Sequence, residues 1–330
     1  MVIMPGDRAV TIADVARVAN VSRALVSFVL NGRNKDVAPA TRARILQAIE
    51  ELGYRPNTVA RNLAKKRAGA IGIVCDMEAY QDPLDMQFLA TILTRVSEMG
   101  QRVMLIPTDE RQIQDVAQDH AVDGMIFLDE RVSDPRIARL LEMGIPAVGS
   151  WGDHLDAALQ LGIEELALHL ESRGHQRVLC LCGPSEKLFI AKFKQILTDT
   201  LQEHGIADLT YYCPPDTDTD TEVETAHAII GELRKSHAAV IVASSDKLAI
   251  DAIHALHSAR LRIPDDCAIT GFGDVPAAQW IQPPLTTIRA PIQAMALWTV
   301  THVLRKAEET GMAEDRRQAM ACRLIVRRSC

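Results

Sequence analysis

Arg23, Ala24 and Phe28 lie within six residues of one another, in a segment whose apolar and polar side chains are spaced as on a helix. If this segment is helical, these three residues and Ser27 share one face, opposite Val26 and its apolar neighbours. An arginine guanidinium can donate two parallel hydrogen bonds to O6 and N7 of guanine, and apolar side chains can contact the methyl group of thymine. The chemistry indicated is recognition of base edges, although Phe28 also fits a second interpretation as a core residue.

Two short helices joined by a tight turn are predicted to position this face. Thr11 and Asp14 fit a capping box, and apolar residues follow Ile12 at intervals of three and four. The pattern breaks after residue 19, and Ser22 is a suitable N-cap for a second helix over residues 23–30. A connection of three or four residues between two helices is typical of the helix-turn-helix, whose second helix lies in the major groove of DNA.

A third helix and a separate, very short one are predicted to follow. Pro39 suits the first position of a helix that ends at Gly53. Residues 58–64 would form a helix too short to be stable alone, so we expect it to fold only against a second copy of the chain and DNA. Leu63 in this segment is apolar with nothing nearby to bury it, and it is interpreted either as a wedge in the minor groove or as an ordinary linker residue.

The charge of the chain is unevenly distributed. Residues 1–67 carry twelve Lys and Arg against five Asp and Glu, a net charge of +7, whereas the whole chain carries −7 and the remainder therefore −14. A basic segment on an acidic body is typical of a protein that binds a polyanion. A solvated basic surface without a partner is the alternative.

The composition and the absence of certain motifs exclude several classes of protein. With 48% apolar and 24% charged residues, and no apolar run long enough for a signal peptide or a membrane span, we expect a folded cytoplasmic protein without a membrane partner. Cys180 and Cys182 form C-x-C rather than C-x-x-C, so the seven cysteines are expected to be reduced and mostly structural. The motifs of nucleotide, metal and serine-hydrolase sites do not occur, and GFGD at residues 271–274 lacks a third glycine, so we expect no cofactor and no metal.

Short apolar runs alternate with helix-like segments from residue 70 onward, which predicts parallel sheets in two similar lobes. The predicted strands are residues 71–75, 103–107, 125–128, 147–149, 178–182, 211–213, 240–243 and 269–272. The fold class expected is an all-α helix-turn-helix head with an α/β body. We assign residues 1–56 to the head, 57–69 to a hinge helix and linker, and 70–330 to a body for effector binding and dimerisation. Ligands bind such sheets at the carboxyl ends of their strands, so the cleft between the lobes is the candidate ligand site.

The run TIADVARVANVSRALVSFVLNGRNKDVAPATRARILQAIEELGYRPNTVARNL, residues 11–63, resembles the head and hinge of the LacI/GalR family of bacterial repressors. The resemblance implies that Arg23, Ala24 and Phe28 read bases, and that Leu63 intercalates from both subunits of a dimer. It also implies contacts to the DNA backbone from a set of polar residues: Thr11, Ser22, Ser27, Asn31 and Tyr54. Leu25 departs from the family, which usually carries a polar residue such as threonine at this position.

The resemblance extends over the body. The segments VDGMIFL, GIPAV, RGHQRVLCLCGP, SDKLAIDAI, RIPDDCAITGFGD and PPLTTIR are similar to a periplasmic-binding-protein-like fold whose chain crosses three times between two lobes. The resemblance implies a first lobe over about residues 70–163 and 291–319, and a second over about residues 164–290 and 320–330.

Three positions of the implied effector pocket depart from the family pattern. Phe189 stands where many members carry an effector-binding arginine, Ser245 where they carry asparagine, and Gly273 where they often carry aspartate. These differences remove planar groups that fix sugar hydroxyls or carboxylates. The remaining candidates, Trp151, Phe189, Ser245 and Asp274, indicate a more apolar or aromatic effector of unknown identity. A cleft that binds nothing, and control by a partner protein, are the alternatives.

The residues and the resemblance together predict a regulator, a repressor by resemblance, that binds a palindromic double-stranded DNA operator as a homodimer. A small-molecule effector in the cleft would modulate it. The last strand is expected to end at Cys330, and no leucine heptads follow it, which favours a dimer over a tetramer. The other classes considered are a constitutive or partner-controlled regulator, an enzyme on the same body, and a solute-binding transport protein. No catalytic constellation supports the enzyme, and the transport protein would need an export signal.

Overall fold

A computed structural model of the chain describes residues 10–30, 32–33, 36–55, 67–75, 82–128, 130–151, 155–183, 185–214, 222–304 and 320–330. The chain divides into two compact units, the head, Met1–Ala68, and the body, Gly69–Cys330. The predicted hinge helix with Leu63, and Asn31, lie outside the described residues.

The head contains the three predicted helices, α1 (Ile12–Val18), α2 (Arg23–Leu30) and α3 (Pro39–Glu51). Their apolar faces meet in a small core in which the side chains of Val15, Val26 and Ile45 are fully buried. The apolar residues whose spacing predicted each helix therefore also pack the three helices against one another.

The first lobe of the body is built on a four-stranded parallel sheet with the order β2-β1-β3-β4. Its strands are β1 (Ala70–Val74), β2 (Arg102–Ile106), β3 (Met125–Phe127) and β4 (Ala147–Gly149). Helices follow the first three strands in turn: α4 (Pro83–Glu98), α5 (Glu110–Gln118) and α6 (Pro135–Glu142). Every residue of β1, β3 and β4 is buried, as expected for parallel strands covered by helices on both faces.

The second lobe is built on a six-stranded sheet with the order β10-β9-β8-β7-β5-β6, parallel except where β10 pairs with β9. Its strands are β5 (Arg177–Leu181), β6 (Asp208–Tyr212), β7 (Val240–Ala243), β8 (Ala268–Gly273), β9 (Thr286–Arg289) and β10 (Arg323–Ile325). The remaining helices are α7 (Leu155–Ser172), α8 (Leu188–Glu203), α9 (Glu222–Ser236), α10 (Asp246–Ser258) and α11 (Ile292–Leu304). The expected fold class is confirmed and all eight predicted strands are present. β9 was not predicted, and the last strand, β10, ends at Ile325 rather than at Cys330 as expected.

The boundary between the lobes differs from the one expected between residues 163 and 164. That point falls inside α7, which packs as one continuous helix on α8, β9 and β10 of the second lobe. A Cβ added at Gly162 in α7 would lie 2.7 Å from Cβ of Cys322 and 2.8 Å from Cγ2 of Ile288. Because the apolar face of α7 is continuous and approaches the second sheet this closely, the first crossing precedes residue 155. The second crossing follows β9, since α11 packs on the first lobe.

The last residues of the chain are part of the second lobe. Ser329 is fully buried, and its hydroxyl donates to the carbonyl oxygen of Ile269 at 2.6 Å and accepts from the amide of Thr286 at 2.8 Å. The tail therefore joins β8 to β9 through buried polar contacts.

Six of the seven cysteines are buried and Cys213 is exposed. Burial raises the pKa of the Cys182 thiol to about 12, which keeps it protonated and unreactive. This environment supports the structural interpretation of Cys182.

Candidate DNA-binding face and interlobe cleft

Helix α1 begins with a capping box and is followed by a tight turn that leads to α2. The hydroxyl and the amide of Thr11 donate to Oδ2 of Asp14 at 2.7 and 3.0 Å, and Arg17 pairs with the same carboxylate. The bonds from Thr11, the largest cause, lower the pKa of Asp14 to about 2, so the capping box keeps its charge at neutral pH. Asn20 has a φ of 51° in the connecting turn, where asparagine is tolerated better than most residues.

The face of α2 predicted to read bases is open at its N-terminal end. Ser22 accepts a hydrogen bond from the amide of Leu25 at 3.3 Å, as an N-cap residue does. Arg23 and Ala24 are exposed, and Ser27 is half-buried. The structure thus places these side chains together at the start of a capped helix, which is the part of a helix-turn-helix that meets base edges.

Phe28 and Leu25 both pack against the head core. Phe28 is half-buried, and the guanidinium carbon of the exposed Arg33 lies 5.7 Å from the centre of its ring. One part of the Phe28 side chain is therefore packed in the core, and the other part is accessible. Leu25, which stands where a polar residue such as threonine was expected, is half-buried against the same core and contributes to its packing. Arg33 was not predicted, although the basic run after Gly32 could have indicated it.

Two residues predicted to contact the DNA backbone, Tyr54 and Thr11, lie outside α2 and have partners within the head. Tyr54 is half-buried against the head core just after α3, and the Thr11 hydroxyl is engaged by Asp14. Arg17, Arg42, Arg44 and Arg55 are exposed and contribute to a positively charged surface. The described part of the head therefore combines one candidate reading face with several cations that suit phosphate contacts.

Four aromatic side chains meet where the lobes of the body face each other. The rings of Trp151, after β4 in the first lobe, and Phe189, at the start of α8 in the second, stack with centres 4.7 Å apart. Phe272 of β8 lies 5.0 Å from Phe189 and 6.0 Å from Trp151, and Phe193 of α8 lies 5.9 Å from Phe272. Two predicted effector residues, Trp151 and Phe189, are thus brought into direct contact with each other.

Backbone hydrogen bonds also join the lobes beside this aromatic cluster. The amide of Leu188 donates to the carbonyl oxygen of Glu130 at 2.9 Å, and the amide of Val132 donates to that of Glu186 at 3.1 Å. A Cβ added at Gly273 of β8 would lie 3.5 Å from both methyl groups of Leu84 in α4. The body is therefore in a closed arrangement.

A small cavity remains on the first-lobe side of the closed cleft. Its volume of about 10 Å³ is roughly the space of one water molecule. It is lined by Leu84, Asp85, Phe88, Leu128, Ser150, Trp151 and Ile292. Asp85 and the apolar lining from α4 were not predicted, because no local pattern shows that the first turn of α4 faces this cavity.

Ser245 and Asp274, the other predicted effector residues, are engaged within the second lobe. Ser245 caps α10 by accepting a hydrogen bond from the amide of Leu248 at 3.3 Å. Asp274 accepts from Nε of Arg289 and from Nη2 of Arg327, each at 2.6 Å, and its side chain is only 8% exposed. Sequence reasoning missed both arginines, which approach Asp274 through the pairing of β8 with β9 and through the tail. An effector role for Ser245 and Asp274 stays a prediction.

Asp246 is a buried carboxylate in the second lobe, next to Ser245 in sequence. Its Oδ1 accepts from the hydroxyl of Thr287 at 2.5 Å, and its Oδ2 accepts from the amide of Val275 at 2.8 Å. Burial, the largest cause, and the carboxylates of Asp274 and Asp82 raise its pKa to about 6 despite those two hydrogen bonds. The folded protein thus binds the proton of Asp246 more tightly than the unfolded chain does.

We predict that Asp246→Asn will flatten part of the pH dependence of stability. A raised folded pKa gives stability that is fully present below pH 3.8, the ordinary pKa of an aspartate, and is lost as pH rises through about 6. Asparagine keeps an acceptor for the amide of Val275, and its NH2 group can donate to the Thr287 hydroxyl oxygen, which reverses that hydrogen bond without introducing a titration. Urea unfolding between pH 4 and pH 7 should show a smaller loss for Asp246→Asn than for the wild type.

The control for this prediction is Asp265→Asn, at an exposed position of the same lobe. It should retain the wild-type pH dependence. If the two variants show the same pH profile, the assignment of this pH dependence to Asp246 is wrong. Asp246→Ala, which leaves two buried donors without an acceptor, should lower the free energy of unfolding by about 1–3 kcal/mol.

Metal-binding clusters and membrane-spanning helices are both absent from the described part of the chain. Among those residues, no three His, Cys, Asp or Glu side chains are grouped so that they could hold a metal ion. No described helix has the length and apolar character needed to cross a membrane.

Comparison with known proteins identifies relatives of both units. Residues 11–57 match the family model "Bacterial regulatory proteins, lacI family", and residues 167–330 match "Periplasmic binding protein-like domain". The ribose operon repressor of Halalkalibacterium halodurans is 30% identical over 96% of both chains. Catabolite control protein A of Priestia megaterium is 28% identical over 90% of this chain and 93% of its own.

A solved structure shares the fold over almost the entire chain. It is a lac repressor dimer bound to operator and the anti-inducer ONPF, with a TM-score of 0.75 and 21% identity. The match covers 98% of this chain and 99% of that one.

Proposed function

The chain belongs to the lacI family of bacterial regulatory proteins, and we propose that it represses transcription in the cytoplasm by binding a palindromic operator as a homodimer. The observation that carries this proposal is the exposed pair Arg23 and Ala24 at the start of a capped α2. The relatives are regulators rather than enzymes. A dimer is supported by the related fold of the lac repressor dimer.

In this proposal the units have separate tasks. Residues 1–56 form the DNA-binding head, 57–69 the hinge helix and linker, and 70–330 the effector-binding and dimerisation body. Phosphate and backbone contacts come from Thr11, Ser22, Ser27, Asn31 and Tyr54, while Arg23, Ala24 and Phe28 contact bases. Leu63 from each subunit unstacks a base step in the minor groove.

The cleft of the body takes the effector. The direct stacking of Trp151 on Phe189 supports a ligand with apolar or aromatic surface, because both ring faces become available when the cleft opens. Binding there would change the relation between the lobes and so couple the cleft to DNA affinity.

A second candidate function is a regulator without a small-molecule effector. The same stack favours it, since the rings fill the cleft and leave a cavity of only about 10 Å³. In that case a partner protein controls the body, or DNA binding is constitutive.

Sequencing of genomic fragments captured by the purified full-length protein tests the proposal. A dimer should enrich a two-fold symmetric motif, because each head reads one half-site. Genes beside the captured sites would then indicate the effector's pathway. Absence of enrichment over input DNA, or an asymmetric motif, would contradict the proposed function.

A further inference from the structure

Asp85 is an acidic side chain in an otherwise largely apolar cavity. It lies in the first turn of α4 and shares the cavity wall with Leu84, Phe88 and Trp151. Among the residues that the structure describes, no hydrogen bond or ion pair reaches its carboxylate. A carboxylate in apolar surroundings is costly unless a cation or hydrogen-bond donors compensate it.

The charged groups around Asp85 leave it incompletely compensated. Burial, the largest cause, and the neighbouring carboxylate of Asp82 raise the pKa of Asp85 to about 7, and Lys187 acts in the opposite direction. On the facing lobe, Asp246 is buried and Asp274 is already paired with Arg289 and Arg327. Among the described groups, Lys187 alone lowers the pKa of Asp85, so its carboxylate is only partly compensated.

A further carboxylate lies beside the same wall. A Cβ added at Gly149 would come within 1.5 Å of Oε2 of Glu130, so the Glu130 carboxylate lies directly against the backbone at the end of β4. Ser150 and Trp151, which line the cavity, follow directly. The Glu130 side chain therefore lies beside the segment of the first lobe that lines the cavity.

The indole of Trp151 adds a second feature that favours positive charge. Faces of aromatic rings carry partial negative charge and attract ammonium groups, most strongly in tryptophan. Trp151 lines the cavity with Asp85, and its ring stacks on Phe189 at 4.7 Å. An ammonium group near Asp85 and an apolar body between the rings would satisfy both features.

We propose that the effector is an organic cation, a primary or secondary amine attached to an apolar or aromatic body, with Asp85 as its counter-ion. This inference rests on the proposed function, in which the cleft binds the effector. The cavity of about 10 Å³ is too small for such a molecule, so binding separates Trp151 from Phe189 and opens the closed cleft.

Three probes of equal length and different charge test the inference: 2-phenylethylamine, 2-phenylethanol and phenylacetate. Isothermal titration calorimetry on the full-length protein at neutral pH should show the amine binding about tenfold more tightly than the alcohol, or better. Phenylacetate should bind most weakly, because the carboxylate of Asp85 repels it. Asp85→Asn should remove the preference for the amine over the alcohol.

Asp115→Asn is the matched control, since Asp115 is an exposed carboxylate of the same lobe, on α5. It should keep the preference for the amine. The inference is overturned if the three probes bind equally, if phenylacetate binds best, if none binds, or if Asp85→Asn keeps the preference. Thermal melts of both variants establish that they are folded.

Capture of operator DNA by the same preparation separates this inference from the proposed function. A protein that binds its operator but shows no preference for the amine refutes only the organic cation. A protein that binds no DNA refutes the proposed function, whatever the probes show.

Discussion

Arg23→Ala is expected to lower affinity for the captured operator by about 10- to 100-fold, and to relax the sequence preference at one position of each half-site. A bidentate contact of arginine to guanine accounts for about 1–3 kcal/mol of discrimination against other bases. Arg23 is exposed at the start of α2, next to an N-cap that fixes the direction of the helix. Fluorescence anisotropy with the operator and with singly substituted operators measures both effects.

Arg44→Ala provides the comparison, because Arg44 is an exposed arginine of the same head, on α3 rather than α2. Loss of a phosphate contact should weaken binding to all sequences alike and leave the order of preference unchanged. If Arg23→Ala lowers the affinity for the operator and for scrambled DNA by the same factor, the assignment of base recognition to Arg23 is wrong.

Phe272→Ala is expected to lower the free energy of unfolding of the body by about 3–5 kcal/mol, the usual cost of truncating a buried aromatic side chain. Phe272 is fully buried on β8, and its ring has Trp151, Phe189 and Phe193 as neighbours within 6.0 Å. Truncation would leave a cavity where the lobes meet, and remove three aromatic contacts. Urea unfolding followed by the fluorescence of the body measures the loss.

Trp280→Ala is the control, since Trp280 is an aromatic residue of the same lobe but 80% exposed. Its removal should change the free energy of unfolding by less than about 0.5 kcal/mol, as for other surface substitutions. Equal losses in the two variants would mean that the aromatic cluster does not stabilise the closed body.

The head could be predicted from sequence because its signals are local. The capping box at Thr11, the N-cap at Ser22 and the apolar spacing within each helix involve residues only a few positions apart. The buried strands of the parallel sheets were also recognisable, since helices cover both faces and the runs are apolar throughout. In contrast, β9 contains two threonines and β10 pairs with it from the tail, so neither produces a local apolar run.

The cleft could be predicted only in part, because its contacts join distant segments. Trp151 and Phe189 were selected individually, but nothing in the spacing indicates that they stack on each other. The partners of Asp274, Arg289 and Arg327, reach it through strand pairing and the tail. Asp85 was missed for the same reason. Such neighbours depend on the crossings between lobes, and the first crossing was itself expected several residues too late.

We propose above all that the cationic head binds duplex DNA and reads its sequence through α2. The most direct test is the equilibrium affinity of the purified protein for its captured operator and for a scrambled duplex, between about 50 and about 200 mM salt. Both affinities should fall steeply as released counterions oppose binding, while the operator stays favoured by about 10³-fold or more at every salt concentration. Affinities that do not change with salt, or that are equal for the two duplexes, would contradict this claim.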